Sequence, residues 1–190
     1  MVARDANREA TELLTGALRK VAITQYHARE LVRVLDEVSP YEIALQAHFE
    51  GLVFAGISAE EKLAIALALL AGTGTDKDTK LLFRRLLDRV ETAELGAEIR
   101  SWVGHREDGK TLPDEARTLR NAATHRFYDK RGGERGEWHY EVEDRPGHFV
   151  DGMVLEFAET YARHVDRLEP IVATVAERWK LDVEPAPVEA

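Results

Sequence analysis

The chain has 190 residues, 44% of them hydrophobic and 32% charged, with a formal charge of −9 and no cysteine. That is enough sequence for one compact domain with a sizeable core, and it excludes disulfide frameworks and thiolate metal centres. No run reaches the roughly 18 consecutive apolar residues of a membrane span. The start, with Arg4, Asp5, Arg8 and Glu9, lacks the basic-then-apolar order of a secretion signal, so a soluble cytoplasmic protein is expected.

The periodicity predicts a first helix over about Asp5–Val38. Leu14, Leu18 and Val21 form its inward stripe, continued by Leu31, Leu35 and Val38. Ser39-Pro40-Tyr41-Glu42 carries the chemistry of a helix start: a capping hydroxyl, proline at the first helical position, and a glutamate able to reach back. The second helix runs from about Pro40 to Ala71 and stops at Gly72-Thr73-Gly74. Its second half, Leu63 to Leu70, is apolar on every side, the mark of a helix packed by neighbours on several faces. His48 on this helix is expected to be a hydrogen-bonded core residue.

Further helices are predicted over about Lys77–Val90 and Ala93–Val103, and another opens at Pro113 after a polar loop. From Arg126 to about Glu143 the period changes from 3.6 to 2. Trp138, Tyr140 and Val142 alternate with His139, Glu141 and Glu143, and Gly132, Gly133 and Gly136 supply turns. A β-hairpin ended by Pro146-Gly147 is expected there. A last helix covers about Phe149–Trp179 with a kink at Pro170, and residues 182–190 form a disordered tail. The fold class is all-α: an antiparallel helical bundle over residues 1–181 with a small inserted β-hairpin.

Charge is spread unevenly. Arg117, Arg120, Arg126, Lys130, Arg131 and Arg135 face only Asp129 and Glu134 within residues 117–135, a local +4 that leaves −13 for the rest. Such a cationic island favours a phosphate-bearing ligand locally, although a solvated helix face gives the same count. At about 100° per residue, Ala116, Leu119, Ala123 and Phe127 share the core side of this helix. Asn121 and His125 lie away from that arc, one turn apart, so the amide can hold the imidazole.

Arg120-Asn121-Ala122-Ala123-Thr124-His125 resembles the motif of the HEPN superfamily, in which ribonuclease members carry Arg, a preferred Asn, Asp or His, and a His after four to six intervening residues. Bare Arg-to-His spacing is weak evidence, since 19 Arg and 7 His give roughly 2 such pairs by chance. Arg100 and His105 form a second pair, read as structural because Trp102 and Gly104 lie inside it at a helix end. The weight falls on Asn121, the opposed faces and the helical setting.

The resemblance implies a HEPN-like bundle that dimerises so that two motifs share one cleft and cleave single-stranded RNA without metal or cofactor. His125 would act as general acid/base, Arg120 as phosphate and transition-state stabiliser, and Asn121 as orienting residue. Histidine suits proton transfer near neutral pH, and the guanidinium fork suits phosphate oxygens. Arg117, Thr124, Arg126, Lys130 and Arg131 are candidate RNA contacts. A toxin or phage-defence role with an antitoxin or regulatory partner is implied in the same way. The competing reading is a non-catalytic helical binding or dimerisation module. No zinc, carboxylate-bridged iron or phosphate-loop pattern occurs in the sequence.

Overall fold

A computed structural model describes residues 2–36, 42–72, 99, 102, 115–119, 137–142 and 145–185. These are mostly helical, in agreement with the all-α class. The elements in order are α1 (Val2–Asp36), α2 (Glu42–Leu70), β1 (Glu137–Val142), β2 (Arg145–Val150), α3 (Asp151–Asp166) and α4 (Leu168–Trp179). The expected helices over 77–90 and 93–103, and the Ser39-Pro40 start, lie outside the described residues except for helical Ile99 and Trp102. Among the described residues no helix is long and apolar enough to cross a membrane.

The chain groups into two compact units. One takes α1 up to Ala22, α2 from Ser58 and the chain from His164; the other takes α1 from Ile23, α2 up to Ile57 and the stretch ending at Arg163.

In the first unit the buried face of α1 is Ala10, Leu14, Ala17 and Val21, spaced four, three and four as one side of a helix requires. Leu14 and Val21 were expected there. Leu18 is only half-buried, and alanines take the adjoining positions. From α2 come Ala59, Leu63, Ala64, Ala66, Leu67 and Ala68, all buried, while Ile65, Leu69 and Leu70 of the same apolar run are only half-buried, so neighbours enclose the segment on most sides rather than all. α2 stops where expected: Ala71 N–H reaches Leu67 O at 2.9 Å, Gly72 N–H reaches Leu69 O at 3.1 Å, and Gly72 takes φ +66°. Glycine, with no Cβ, enters that left-handed region without the steric cost other residues carry.

α4 buries Leu168, Ile171, Val172 and Val175, a helical stripe in which each side chain contributes about 1.5–3 kcal/mol of burial. Lys180 closes it in the left-handed region at φ 54°, and Leu181 N–H returns to Ala176 O at 2.9 Å. Beyond it, Glu184 was expected to lie in a disordered tail. Instead its backbone N–H donates to Thr15 Oγ1 at 3.3 Å, and its carboxylate accepts from Arg19 at 3.1 Å. Residues 186–190 lie outside the described residues.

The single final helix expected over Phe149–Trp179 is corrected in two places. Phe149 and Val150 belong to β2, so the helix begins at Asp151. It then breaks at Arg167 rather than at Pro170. The physical reason is the proline itself: it has no N–H for the carbonyl four residues back, and its ring collides with that carbonyl, which belongs to Asp166. The break therefore falls one turn upstream, leaving Pro170 in the first turn of α4, where N–H groups have no helical acceptor anyway.

The second unit buries Thr24, Leu31 and Val34 from α1 and Phe49, Leu52, Val53, Ala55 and Ile57 from α2. α3 adds Phe157, Ala158, Tyr161 and Ala162. Gln25 Nε2 donates to Ala162 O at 2.8 Å. Gly56 sits against Tyr161 so closely that a Cβ there would lie 2.5 Å from Cε1.

β1 and β2 pair antiparallel, with Glu137 opposite Val150 and Val142 opposite Arg145. The sequence reading ended its hairpin at Pro146-Gly147, but both residues lie within β2. In a two-stranded ladder each strand is an edge, where a proline without N–H is tolerated. The earlier part of the expected hairpin, 126–136, lies outside the described residues.

Candidate functional sites

Residues 115–119 form a helical turn just before the motif in sequence. Ala116 and Leu119 are buried, in phase with the core arc read from the sequence. Arg117 beside them is half-buried and Thr118 exposed. Arg120, Asn121, Thr124, His125, Arg126, Lys130 and Arg131 lie outside the described residues.

Two polar clusters that the sequence reading did not assemble are well defined. The first is in the second unit. His27 of α1 and His48 of α2 meet with Nδ1 to Nδ1 at 3.1 Å, and Tyr26 stands edge-on to both rings, with centroids 5.3 and 6.2 Å away. Both imidazoles are half-buried. Gly51 makes room for the pair, because a Cβ on it would collide with the His27 ring. A glycine in a helix interior costs about 1 kcal/mol against alanine, so its presence here reflects that close approach. His48 is hydrogen-bonded, as expected, but to a second imidazole, and it is half-buried rather than in the core.

The second cluster is in the first unit and is fully enclosed. Glu60 of α2 and His164 of α3 are 0% and 5% exposed. Glu60 Oε1 stands 3.9 Å from His164 Nε2, beyond a direct hydrogen bond. Trp102 stacks on the imidazole at 4.5 Å and 20°. Its indole N–H donates to His164 O at 2.8 Å. That carbonyl is one of the last four of α3, which have no acceptor role within the helix, so Trp102 caps the break. Burial, reinforced by the Arg167 charge, lowers the His164 pKa to about 4, and the imidazole is neutral at neutral pH.

The sequence reading gave His164 no role and placed Trp102 in a structural segment. Trp102 is indeed buried. Gly51 was the one local signal for the first cluster; Glu60, a carboxylate beside an all-apolar run, was the signal for the second. Among the described residues no three His, Asp or Glu side chains gather in a geometry that could hold a metal ion.

Comparison of the chain with protein-family models, with curated proteins and with solved structures gives no match.

Proposed function

We propose that the chain is a metal-independent endoribonuclease of HEPN type, an antiparallel bundle with an inserted hairpin that works as a homodimer. The observation that carries this reading is the sequence Arg120-Asn121-Ala122-Ala123-Thr124-His125 directly after a helical turn that buries Ala116 and Leu119. Continuing that helical phase sets Asn121 and His125 away from the buried arc, which suits residues that must meet RNA and a symmetry mate. His125 moves the proton of the 2′-hydroxyl or of the leaving oxygen. Arg120 holds the phosphate through the transition state, and Asn121 orients the imidazole. Arg117, Thr124, Arg126, Lys130 and Arg131 contact the RNA backbone. A cytoplasmic toxin or defence role, under an antitoxin or other regulatory partner, belongs to the same proposal.

The formal charge of −9 favours the second reading, a non-catalytic helical module, because phosphate binding rests on Lys and Arg. One experiment separates the two. Purified protein is incubated with single-stranded RNA in the presence of chelator, beside His125→Ala. The enzyme reading expects cleavage that falls by about 10²-fold or more in the variant, the scale of a lost general acid/base. Equal cleavage by both proteins removes His125 from the site, and intact RNA with both favours the module.

A further inference from the structure

The β1–β2 ladder joins two histidines that no ligand spacing in the sequence connects. His139 stands directly opposite His148, with Glu137 opposite Val150 and Glu141 opposite Pro146. Faces alternate along a strand, and opposed residues share one. One face of the ribbon therefore carries Glu137, His139 and Glu141 of β1 beside Pro146, His148 and Val150 of β2. The other carries Trp138, Tyr140 and Val142 beside Arg145, Gly147 and Phe149. Both histidines and both glutamates of the ribbon fall on the first face, and Trp138, Tyr140 and Phe149 fall on the second.

Pro146 fixes the kind of pair the histidines make. Opposed residues of an antiparallel ladder alternate between pairs that exchange two N–H···O bonds and pairs that exchange none. Proline has no N–H to exchange, so Glu141 and Pro146 form a pair of the second kind. His139 and His148 lie two positions along the ladder and are of that kind as well. In such pairs the Cα atoms stand about 4.5 Å apart, against about 5.5 Å in the others. Two imidazoles rooted that closely on one face are within reach of a single ion bound at about 2.0–2.1 Å from each nitrogen. Imidazole nitrogen suits Zn²⁺, Ni²⁺ and Cu²⁺, whereas Mg²⁺ and Ca²⁺ take oxygen ligands. The charged residues that share the face, Glu137 and Glu141, are carboxylates, and Arg145 belongs to the other face, so the local charge favours a cation.

We propose that His139 and His148, opposed in the β1–β2 ladder, form a two-imidazole chelate for a late first-row divalent metal ion, with water in its remaining positions. The bound ion ties one strand to the other, and a two-stranded ribbon is marginal by itself. The chelate is independent of the ribonuclease reading. Its test is calorimetric titration of the metal-stripped full chain with Zn²⁺ at pH 7.5, beside His139→Asn and His148→Asn. Wild type is expected to take up one Zn²⁺ that excess Mg²⁺ does not displace. Each variant is expected to weaken that uptake about 10-fold or more, since even groups one shell beyond the ligands cost that much. No uptake by wild type, uptake that survives both substitutions, or a loss in only one variant overturns the chelate. Side-chain nitrogen NMR of wild type decides independently if the variants do not fold. Zn²⁺ that shifts the His139 and His148 imidazole signals together supports the chelate; signals that stay in place as Zn²⁺ is added overturn it.

Discussion

Gly56→Ala tests one of the two close glycine–ring contacts described in the structure. The added Cβ would lie 2.5 Å from Tyr161 Cε1 and 2.8 Å from its Cζ and hydroxyl oxygen, about 1 Å inside ordinary van der Waals contact. Tyr161 has no free side to move toward. It is 0% exposed and stacks on Phe157 at 5.5 Å and 17°, and Phe157 in turn leans on Phe49 at 5.9 Å. Overpacking of such a core costs about 1–3 kcal/mol, and an overlap this deep against a ring belongs in the upper half of that range. Removing a mid-helix glycine returns about 1 kcal/mol. The net expectation is a loss of about 1–2 kcal/mol, a fall in Tm of about 2–8 °C for a chain of this size.

Gly16→Ala is the internal control. Its Cβ would meet the end of the Lys62 side chain, nearest at Cδ, 3.3 Å away, and a lysine stem can swing aside, so propensity dominates and stability should rise by about 0.5–1 kcal/mol. Circular dichroism melts of both variants beside wild type read the two signs. A Gly56→Ala protein as stable as wild type, or two variants shifting the same way, would refute this account of the helix contact.

The enclosed cluster gives two further expectations. His164 is held at about 4 by burial and Arg167, while in the unfolded chain it titrates near 6.5. Its folded value is depressed, so stability is full above about 6.5 and lost as pH falls toward 4. Between pH 7 and 5 the loss is on the order of 2 kcal/mol, read from urea midpoints and absent in His164→Gln; an equal slope in the variant would assign the acid sensitivity elsewhere. Trp102→Phe removes the indole donor to His164 O and shrinks a side chain that is 1% exposed. A loss of about 2 kcal/mol is expected, and an unshifted urea midpoint would show that the carbonyl finds another donor.

The long helices were legible because their evidence is local. α1 has one glycine and no proline, and Leu14, Val21 and Leu31 are buried where a 3.6 period puts them. The stop of α2 at Gly72 follows from backbone sterics at one residue. The break at Arg167 was half legible: Pro170 announced a disruption, but the proline acts on the carbonyl four residues earlier, and the helix gives way there. Partnerships across helices were not legible. Nothing local to His48 selects His27, and nothing near His164 selects Glu60 or Trp102, because those contacts depend on which turns of separate helices face each other. Leu18 shows the same limit from the apolar side: periodicity gave the correct face, but packing fills it with Ala10 and Ala17. The motif at Arg120–His125 was readable as residue types and spacing, and the buried Ala116 and Leu119 agree with its phase.

Glu60 has a bearing on how α2 finds its place. Beyond Lys62 the helix repeats small and branched apolar side chains, so over that part a slide by one turn, about 5.4 Å, would exchange one alanine or leucine for another. The carboxyl breaks that near-degeneracy. A slide would carry it away from the polar surroundings it has in the observed alignment, with His164 Nε2 3.9 Å away, and a buried carboxyl set wholly among hydrocarbon costs several kcal/mol. A polar side chain thus joins Gly51 and Gly56 in marking one alignment of α2 and penalising the others.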